Sequence, residues 1–134
     1  MRRLVLLLLV AAAVTAAPAA ASPTVRLTIL HYVRGCHVWQ VGGRTLGPAT
    51  TLKLRPGTRV ELRSSCPMDF DLTQLAGPRL ALGGARLFAG TSRRIVFARR
   101  GVYRLTAKNV QSSEERGLVT LGPDNGLVLV VRVA

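Results

Sequence analysis

The sequence is poor in the residues from which catalytic and metal sites are most often built. Its 134 residues include two cysteines, two histidines and six acidic residues, and only six aromatic side chains. So few His and Cys residues leave little choice of transition-metal ligands. Aromatic residues are also too few to alternate with basic ones along a single-stranded nucleic acid. We therefore expect no nucleic-acid partner.

Catalytic patterns are absent as well. No serine lies in a spacing typical of a strained nucleophile turn, although Ser64 and Ser65 precede Asp69 and could be imagined beside His37. The sequence therefore predicts a protein that is not an enzyme and has no catalytic residues.

The first residues predict an export signal rather than part of the fold. Arg2 and Arg3 precede an apolar run at residues 4–14, and three alanines ending at Ala21 supply a cleavage pattern. We expect cleavage after Ala21, which leaves residues 22–134 as one domain. A bilayer span needs about 20 apolar residues, and no further apolar stretch of that length follows. The sequence therefore predicts a secreted or cell-envelope protein without a transmembrane segment.

The route of export stays open between two pathways. The Arg2-Arg3 pair is compatible with twin-arginine export, but the apolar core that follows directly favours the general secretory route.

Basic residues greatly outnumber acidic ones. The net charge is +13 at pH 7, and loss of two arginines with the leader would reduce it to +11. An exported protein with this charge favours anionic partners, such as an anionic surface or an acidic protein. Two pairs, Arg93-Arg94 and Arg99-Arg100, bracket a predicted strand and are the best candidates for an anion-binding patch. The alternative is a solvated basic surface without a partner.

Short apolar stretches separated by turn residues predict β-strands throughout the domain. In residues 24–33, Leu27 and Ile29 alternate with Arg26 and Thr28. Further strands are predicted at residues 38–41, 45–46, 51–54, 59–63, 69–75, 95–98, 102–107, 118–121 and 127–133, with a glycine-rich connection at 77–90. This density of short strands predicts an all-β sandwich or barrel.

Three segments resemble those of cupredoxins. Residues 54–62 resemble their strand, Pro-Gly turn and strand; residues 97–105 resemble their Phe, turn and Gly-x-Tyr hairpin; and residues 127–133 resemble their last strand. The similarity covers about residues 50–133 and implies an antiparallel Greek-key β-sandwich. Alternation and resemblance together place the following residues in the core: Leu62, Phe97, Tyr103, Leu105, Leu129 and Val131.

The resemblance would also imply copper, but the usual ligands are missing. A blue-copper site uses two imidazoles, one thiolate and a weak thioether. The position after the Pro-Gly strand, residues 64–70, offers Cys66 and Met68 but no histidine. The later position, residues 108–125, contains no Cys, His or Met. We therefore expect no standard copper site and no cofactor.

The two cysteines allow two interpretations. Cys36 and Cys66 in an exported chain predict a disulfide. It would close a loop of about 30 residues and contribute about 3 to 4 kcal/mol on the chain-entropy model. Alternatively, both thiols stay reduced, and Cys36, His37, Cys66 and Met68 form a nonstandard Cu(I) site.

The candidate binding surface centres on residues 65–72. Met68, Asp69 and Asp71 lie there, and Trp39 is the only tryptophan. Asp69 and Asp71 share one face of a predicted strand, where we expect them to pair with Arg59 and Arg63 of the preceding strand.

Two function classes follow from these patterns. The leading one is an exported, noncatalytic cupredoxin-like domain that binds a ligand or partner through loops at one end. The alternative is a copper-binding or electron-transfer protein that uses the nonstandard Cys, His and Met set.

Overall fold

A computed structural model describes residues 20–32, 37–110 and 126–134, and within these ranges the chain forms ten β-strands and no helix. The strands are β1 Thr24–His31, β2 His37–Val41, β3 Arg44–Gly47, β4 Ala49–Leu54, β5 Thr58–Ser64, β6 Asp69–Ala76, β7 Arg86–Leu87, β8 Ser92–Phe97, β9 Gly101–Val110 and β10 Gly126–Val133. The described residues include no helix with the length and hydropathy of a membrane span.

The strands form two five-stranded sheets. Sheet A has the order β3-β2-β1-β5-β8, and sheet B has the order β4-β10-β9-β6-β7. The predicted all-β sandwich is therefore confirmed. One detail of the prediction is wrong, because the sheets are mixed rather than purely antiparallel: β1 runs parallel to β5, and β4 runs parallel to β10. The chain passes from sheet A to sheet B at β4 before β5 returns beside β1, and such a crossover permits parallel pairing.

Alternating side chains of both sheets fill the space between them. All six residues predicted for the core are buried, and they pack with side chains that alternation also placed inward, such as Leu27, Ile29 and Phe70. The rings of Phe97 and Tyr103 meet edge to face with centroids 5.0 Å apart. The Tyr103 hydroxyl donates to the Arg99 carbonyl at 2.6 Å, which ties the turn between β8 and β9 to the core.

The sandwich has two ends, which we name for one residue at each. At the His37 end, β1 finishes at His31, β2 starts at His37, β5 finishes at Ser64 and β6 starts at Asp69. At the Gly57 end, short turns reverse the chain at residues 42–43, 55–57 and 98–100.

The turns at the Gly57 end depend on glycine at specific positions. Gly57 has φ +84° and open space where a Cβ would lie. Gly77 follows β6 with φ +99°, and a Cβ there would come within 2.5 Å of the Val102 carbonyl oxygen and 2.8 Å of the Tyr103 Cα. Only glycine adopts this left-handed backbone without a steric cost. At Gly77 the close approach of β9 is a second requirement.

Several predictions fall outside the described residues or differ slightly from the structure. The predicted strand at residues 118–121 lies outside the described ranges, as does most of the predicted export signal at residues 1–21. The glycine-rich connection at 77–90 is largely irregular, as expected, and includes the two-residue strand β7.

Candidate functional site

A four-residue connection, residues 65–68, crosses from sheet A to sheet B at the His37 end. The Ser64 backbone N–H donates to the Thr91 carbonyl at 3.0 Å, and the Ser65 N–H donates to the Ile29 carbonyl at 2.9 Å. Cys66 and Met68 are both buried. The connection is therefore anchored on one side to β1 and on the other to the loop that precedes β8.

Ser64 organises the connection through its side chain. Its hydroxyl donates to the Met68 carbonyl at 3.3 Å and lies 3.3 Å from the Cys66 sulfur. The Cys66 sulfur lies 3.8 Å from the same Met68 carbonyl. Because the Ser64 side chain is fully buried in these contacts, it holds the turn and is not placed as a nucleophile.

His37 is fully buried at the same end, between the two sheets. Its ring meets the Phe70 ring at 5.2 Å and the His31 ring at 5.4 Å between centroids, both edge to face. Among the described residues, neither ring nitrogen has a hydrogen-bond partner. Burial lowers the pKa of His37 from its usual 6.5, and the charge of His31 lowers this pKa further. The imidazole is therefore neutral at neutral pH.

Asn109 of β9 completes the buried group. Its side-chain amide donates to the Met68 sulfur at 2.7 Å, and β-sheet register places Asn109 beside Phe70. The Met68 thioether is thus directed toward sheet B by a specific polar contact.

A standard blue-copper site does not fit the described residues. No three His, Cys, Asp or Glu side chains among them lie close enough together to hold a metal ion. His37 supplies one buried imidazole, whereas His31 is exposed. The predicted Cys36–Cys66 disulfide and the alternative copper site of Cys36, His37, Cys66 and Met68 both involve Cys36, which lies outside the described ranges. Both remain predictions.

Asp69 and Asp71 do not pair with Arg59 and Arg63, so that expectation is wrong. The strand that carries the two arginines, β5, belongs to sheet A, whereas β6 belongs to sheet B. A strand that follows in sequence need not be a neighbour in the sheet when the connection crosses the sandwich.

The two carboxylates instead have separate structural partners. Buried Asp69 accepts the Ala89 backbone N–H at 2.8 Å. Asp71 accepts two bonds from Arg86, at 2.9 and 3.3 Å. Both interactions fasten the segment around β7 to β6.

The four arginines of the predicted anion-binding patch do not converge. Arg93 and Arg94 are consecutive in β8 and so point to opposite faces. Arg93 donates to the Gly84 carbonyl at 2.6 Å and to the Arg86 carbonyl at 2.5 Å, which ties β8 to the segment before β7. Arg99 and Arg100 lie beyond the other end of β8. The length of the strand therefore separates the two pairs.

Trp39 lies in the core rather than on a binding surface, which corrects its proposed role. Its side chain is 1% exposed, and its indole N–H donates to the Val128 carbonyl of sheet B at 3.0 Å. The buried positions of Met68 and Asp69 likewise remove most of their surface from contact with a partner. Of the predicted group on β6 and before it, Asp71 is the most accessible.

The exposed residues of the His37 end were not identified from the sequence. Tyr32 follows β1 and is 53% exposed, and Phe88 follows β7 and is 58% exposed. The Thr91 side chain and backbone N–H both contact the Phe88 carbonyl and close a turn over residues 88–91. No local sequence signal distinguishes these two aromatic residues from core residues, because their exposure depends on how the folded chain places the loops that carry them.

Comparison with known proteins gives distant structural likeness. No protein-family model matches the sequence, and no curated protein matches it. A multi-copper oxidase from Pseudomonas thermotolerans is 19% identical, with 84% of this chain and 29% of that chain covered and a TM-score of 0.47. A multicopper oxidase from Campylobacter jejuni, described as a metallo-oxidase, is 14% identical, with 83% and 25% covered and a TM-score of 0.45.

The chain therefore spans less than a third of either oxidase. Identities and scores this low do not extend the copper content or activity of those proteins to this chain. Within the described residues the fold is a β-sandwich of two mixed sheets, in which the first and last of the ten strands are each parallel to a neighbour.

Proposed function

We propose that the protein is an exported, noncatalytic cupredoxin-like domain that binds a partner protein through its His37 end. The observation that carries this proposal is the pair of large aromatic side chains, Tyr32 after β1 and Phe88 after β7, each more than half exposed at the His37 end. Tyrosine and phenylalanine are enriched in protein interfaces, where their burial supplies much of the binding energy.

The surroundings of these aromatics support a binding role. The Phe88 loop is held by the Ala89 bond to Asp69, and β1, which ends one residue before Tyr32, is held to the connection by the Ser65 bond to Ile29. Loops fixed on a rigid sheet scaffold are the usual place for recognition residues. Because little loop ordering would be needed on binding, the entropic cost of association is reduced.

The carboxylates of the described residues support the noncatalytic part of the proposal. Asp69 holds a backbone N–H, Asp71 pairs with Arg86, and Glu61 lies 3.7 Å from Arg26. General acid or base catalysis requires a carboxylate or imidazole within reach of a substrate proton. Glu61 lines a cavity whose other lining residues are Arg26, Thr28 and Arg63, and none of these three is a general acid or base at neutral pH.

Site-specific photo-crosslinking in the native host tests the partner proposal. A photoreactive phenylalanine analogue replaces Phe88 in one strain, Tyr32 in a second and Leu75 in a third. Leu75 is the matched control, because it is 56% exposed but lies toward the Gly57 end. We expect one discrete crosslinked product shared by positions 88 and 32 and missing at 75. A product of equal yield at all three positions, or at none, would contradict the proposal.

Export is tested separately on the same material. Intact mass of the protein recovered from the cell envelope or medium should correspond to a chain that starts at Ser22, with the Cys36–Cys66 disulfide making it two hydrogens lighter than the reduced chain. Recovery of the uncleaved chain from the cytoplasm would contradict export, whatever the crosslinking result.

A second candidate function, copper binding, is favoured by one observation. His37 is a buried imidazole whose two nitrogens have no hydrogen-bond partner among the described residues, at the end that also holds Cys66 and Met68. Soft sulfur donors together with an imidazole suit Cu(I). The partner-binding proposal is preferred, because it rests on two exposed aromatic side chains among the described residues, whereas the copper site would also need Cys36, which lies outside them.

A thiol count and a copper titration distinguish the two candidates. Two reactive thiols and one tightly bound Cu(I), lost in His37→Leu, would favour the copper protein. No reactive thiol and no copper retained after dialysis would favour the partner-binding domain.

A further inference from the structure

Three basic side chains lie close together toward the Gly57 end of the outer face of sheet B, on three neighbouring strands. Lys53 of β4 lies directly opposite Arg132 of β10, and Arg132 lies opposite Val102 of β9. Arg104 is two residues beyond Val102 on the same face of β9. All three basic residues are exposed. We name this group, Lys53, Arg104 and Arg132, the sheet B basic cluster.

Repulsion among the like charges of the basic cluster should destabilise sheet B, and no described acidic side chain lies near enough to offset it. Neighbouring strands lie about 4.8 Å apart, so Lys53 and Arg132 are close like charges, and such opposed pairs destabilise a sheet. Of the described carboxylates, Glu61 belongs to sheet A, and Asp69 and Asp71 begin β6 at the His37 end. Register places Asp71 beside Lys108, four residues or about 13 Å along β9 from Arg104.

Exposed aliphatic side chains lie among the basic ones. Val102 is 51% exposed directly beside Arg132, and Leu75, 56% exposed, occupies the bulge of β6 opposite Arg104. Val130, partly buried, pairs with Arg104 on the other side. The face therefore combines positive charge with apolar contact area on a hydrogen-bonded sheet.

We propose that this face docks on the headgroup layer of an anionic phospholipid bilayer. The three cations are spread in two dimensions over three strands, which matches a planar array of phosphates rather than a single linear chain. Arginine suits phosphate because its guanidinium can donate two parallel hydrogen bonds. The exposed valine and leucine contact the upper acyl region, as in other proteins that bind at the membrane interface. This surface is separate from the His37 end and does not depend on the partner-binding proposal.

Sheet A provides a matched control. Its outer face carries four exposed arginines, Arg26, Arg59, Arg63 and Arg94, which surround Glu61. Glu61 pairs with Arg26 at 3.7 Å and also lies opposite Arg94 of β8. Glu61 lies among these arginines and offsets part of their positive charge, whereas no described acidic side chain lies among Lys53, Arg104 and Arg132.

Vesicle co-sedimentation tests the proposal with two triple variants of equal charge. One replaces Lys53, Arg104 and Arg132 with Gln, and the other replaces Arg26, Arg59 and Arg63 with Gln. The protein is purified as the expressing cell processes it, and intact mass confirms the same N-terminus in every sample. Binding is measured on vesicles of equal phosphatidylglycerol and phosphatidylcholine, and on phosphatidylcholine alone.

We expect the parent to bind only the anionic vesicles and to be released by salt, since exposed charges are screened over about 10 Å at 0.1 M. The sheet B variant should lose at least about tenfold in partition coefficient, because each basic residue near an anionic surface contributes measurably to binding. The sheet A variant should lose less than about threefold, and Val102→Ser should also weaken binding. A third variant, which combines Lys53→Arg, Arg104→Lys and Arg132→Lys, should retain binding and controls for folding.

Equal losses from the two Gln variants would overturn the proposal, because net charge alone would then account for binding. It would also be overturned if the parent did not sediment with anionic vesicles. Competition by soluble poly-glutamate that abolishes vesicle binding, with no effect of Val102→Ser, would assign the face to an acidic protein instead.

Discussion

The two ends of the sandwich are built on different principles. The Gly57 end is closed by short turns whose geometry follows from local residues, such as Gly57 at φ +84° and the Tyr103 hydroxyl bound to the Arg99 carbonyl. The His37 end instead gathers side chains from several elements: a histidine without hydrogen-bond partners among the described residues, the sulfur of Cys66 and a thioether contacted by Asn109. The contacts at the Gly57 end mainly stabilise the fold. The His37 end contains buried polar groups whose replacement by apolar ones should raise the free energy of unfolding.

This difference leads to contrasting expectations for mutations. Changes at the Gly57 end should lower the free energy of unfolding and leave binding unaffected in the protein that remains folded. Changes at the His37 end should affect binding more than stability, and some should even stabilise the fold.

The largest effect is expected at the Gly57 end, from Phe97→Ala. This ring is 1% exposed and packs edge to face on Tyr103, so its removal should cost about 3 to 5 kcal/mol of unfolding free energy. Val96→Ala, on the exposed face of the same strand, should cost less than about 1 kcal/mol. Chemical denaturation of both variants measures the contrast. Similar midpoints for the two would mean that the β8 register is wrong.

Gly77→Ala and Gly57→Ala should separate the two requirements for glycine. Both need a left-handed backbone, which costs an alanine about 1 to 2 kcal/mol. Only at Gly77 would the Cβ also meet the backbone of β9, which should add about 1 to 3 kcal/mol of strain. Thermal unfolding of the two variants measures which of them loses more stability, and we expect the larger loss in Gly77→Ala. Equal losses would show that β9 does not approach Gly77 as closely as described.

At the His37 end we expect His37→Leu to stabilise the protein at neutral pH. A buried polar group without a hydrogen bond costs about 1 to 3 kcal/mol, and an apolar replacement of similar size removes that cost. Urea unfolding at pH 7.5 measures the change. A loss of more than about 2 kcal/mol would mean that the imidazole has a partner in the folded protein.

His37 should also make the free energy of unfolding depend on pH. Because burial lowers the pKa of His37 in the folded chain below 6.5, the unfolded chain binds more protons once the pH falls below that value. Stability should therefore be fully present above pH 6.5 and decline as the pH falls toward the folded-state pKa, by at most about 2 kcal/mol at pH 5. Denaturation curves of His37→Leu should lack this decline. If parent and variant fall in parallel, another group is responsible.

The smallest effect is expected from the exposed Arg86 and Asp71 pair. Both side chains are more than a third exposed, so Arg86→Gln should cost less than about 1 kcal/mol. Asp69→Ala should cost about 1 to 3 kcal/mol, because it leaves the Ala89 N–H without its acceptor. Unfolding of the two variants in low salt tests this order. The reverse order would mean that the Phe88 loop does not depend on Asp69.

Much of the fold could be predicted because its signals are local. The alternation of Leu27 and Ile29 with Arg26 and Thr28 predicts a strand and its inward face, and Pro56-Gly57 predicts a turn. Parallel pairing of β1 with β5 could not be predicted in this way. Alternation tells which face of a strand is buried but not which strand lies beside it.

The candidate site could be predicted only in part for the same reason. The sequence marks the residues near Cys66 as unusual, but the bonds of Asn109 to Met68 and of Ala89, in the Phe88 loop, to Asp69 are long-range contacts. Asp69 and Asp71 were assigned to arginines of the preceding strand, although the connection between the strands crosses to the other sheet. The chemistry of the individual side chains could therefore be predicted from the sequence. Which of these side chains lie close together could be determined only from the fold.

The intrinsic fluorescence of the buried Trp39 indole should report on the separation of the two sheets. It is the only tryptophan, it sits on a strand of sheet A, and its N–H reaches the backbone of sheet B. Emission on excitation at the indole band therefore comes from one environment, and any event that parts the two layers should change its wavelength. Partner or vesicle binding can then be followed without a label, with a steady emission maximum indicating that the sandwich stays closed.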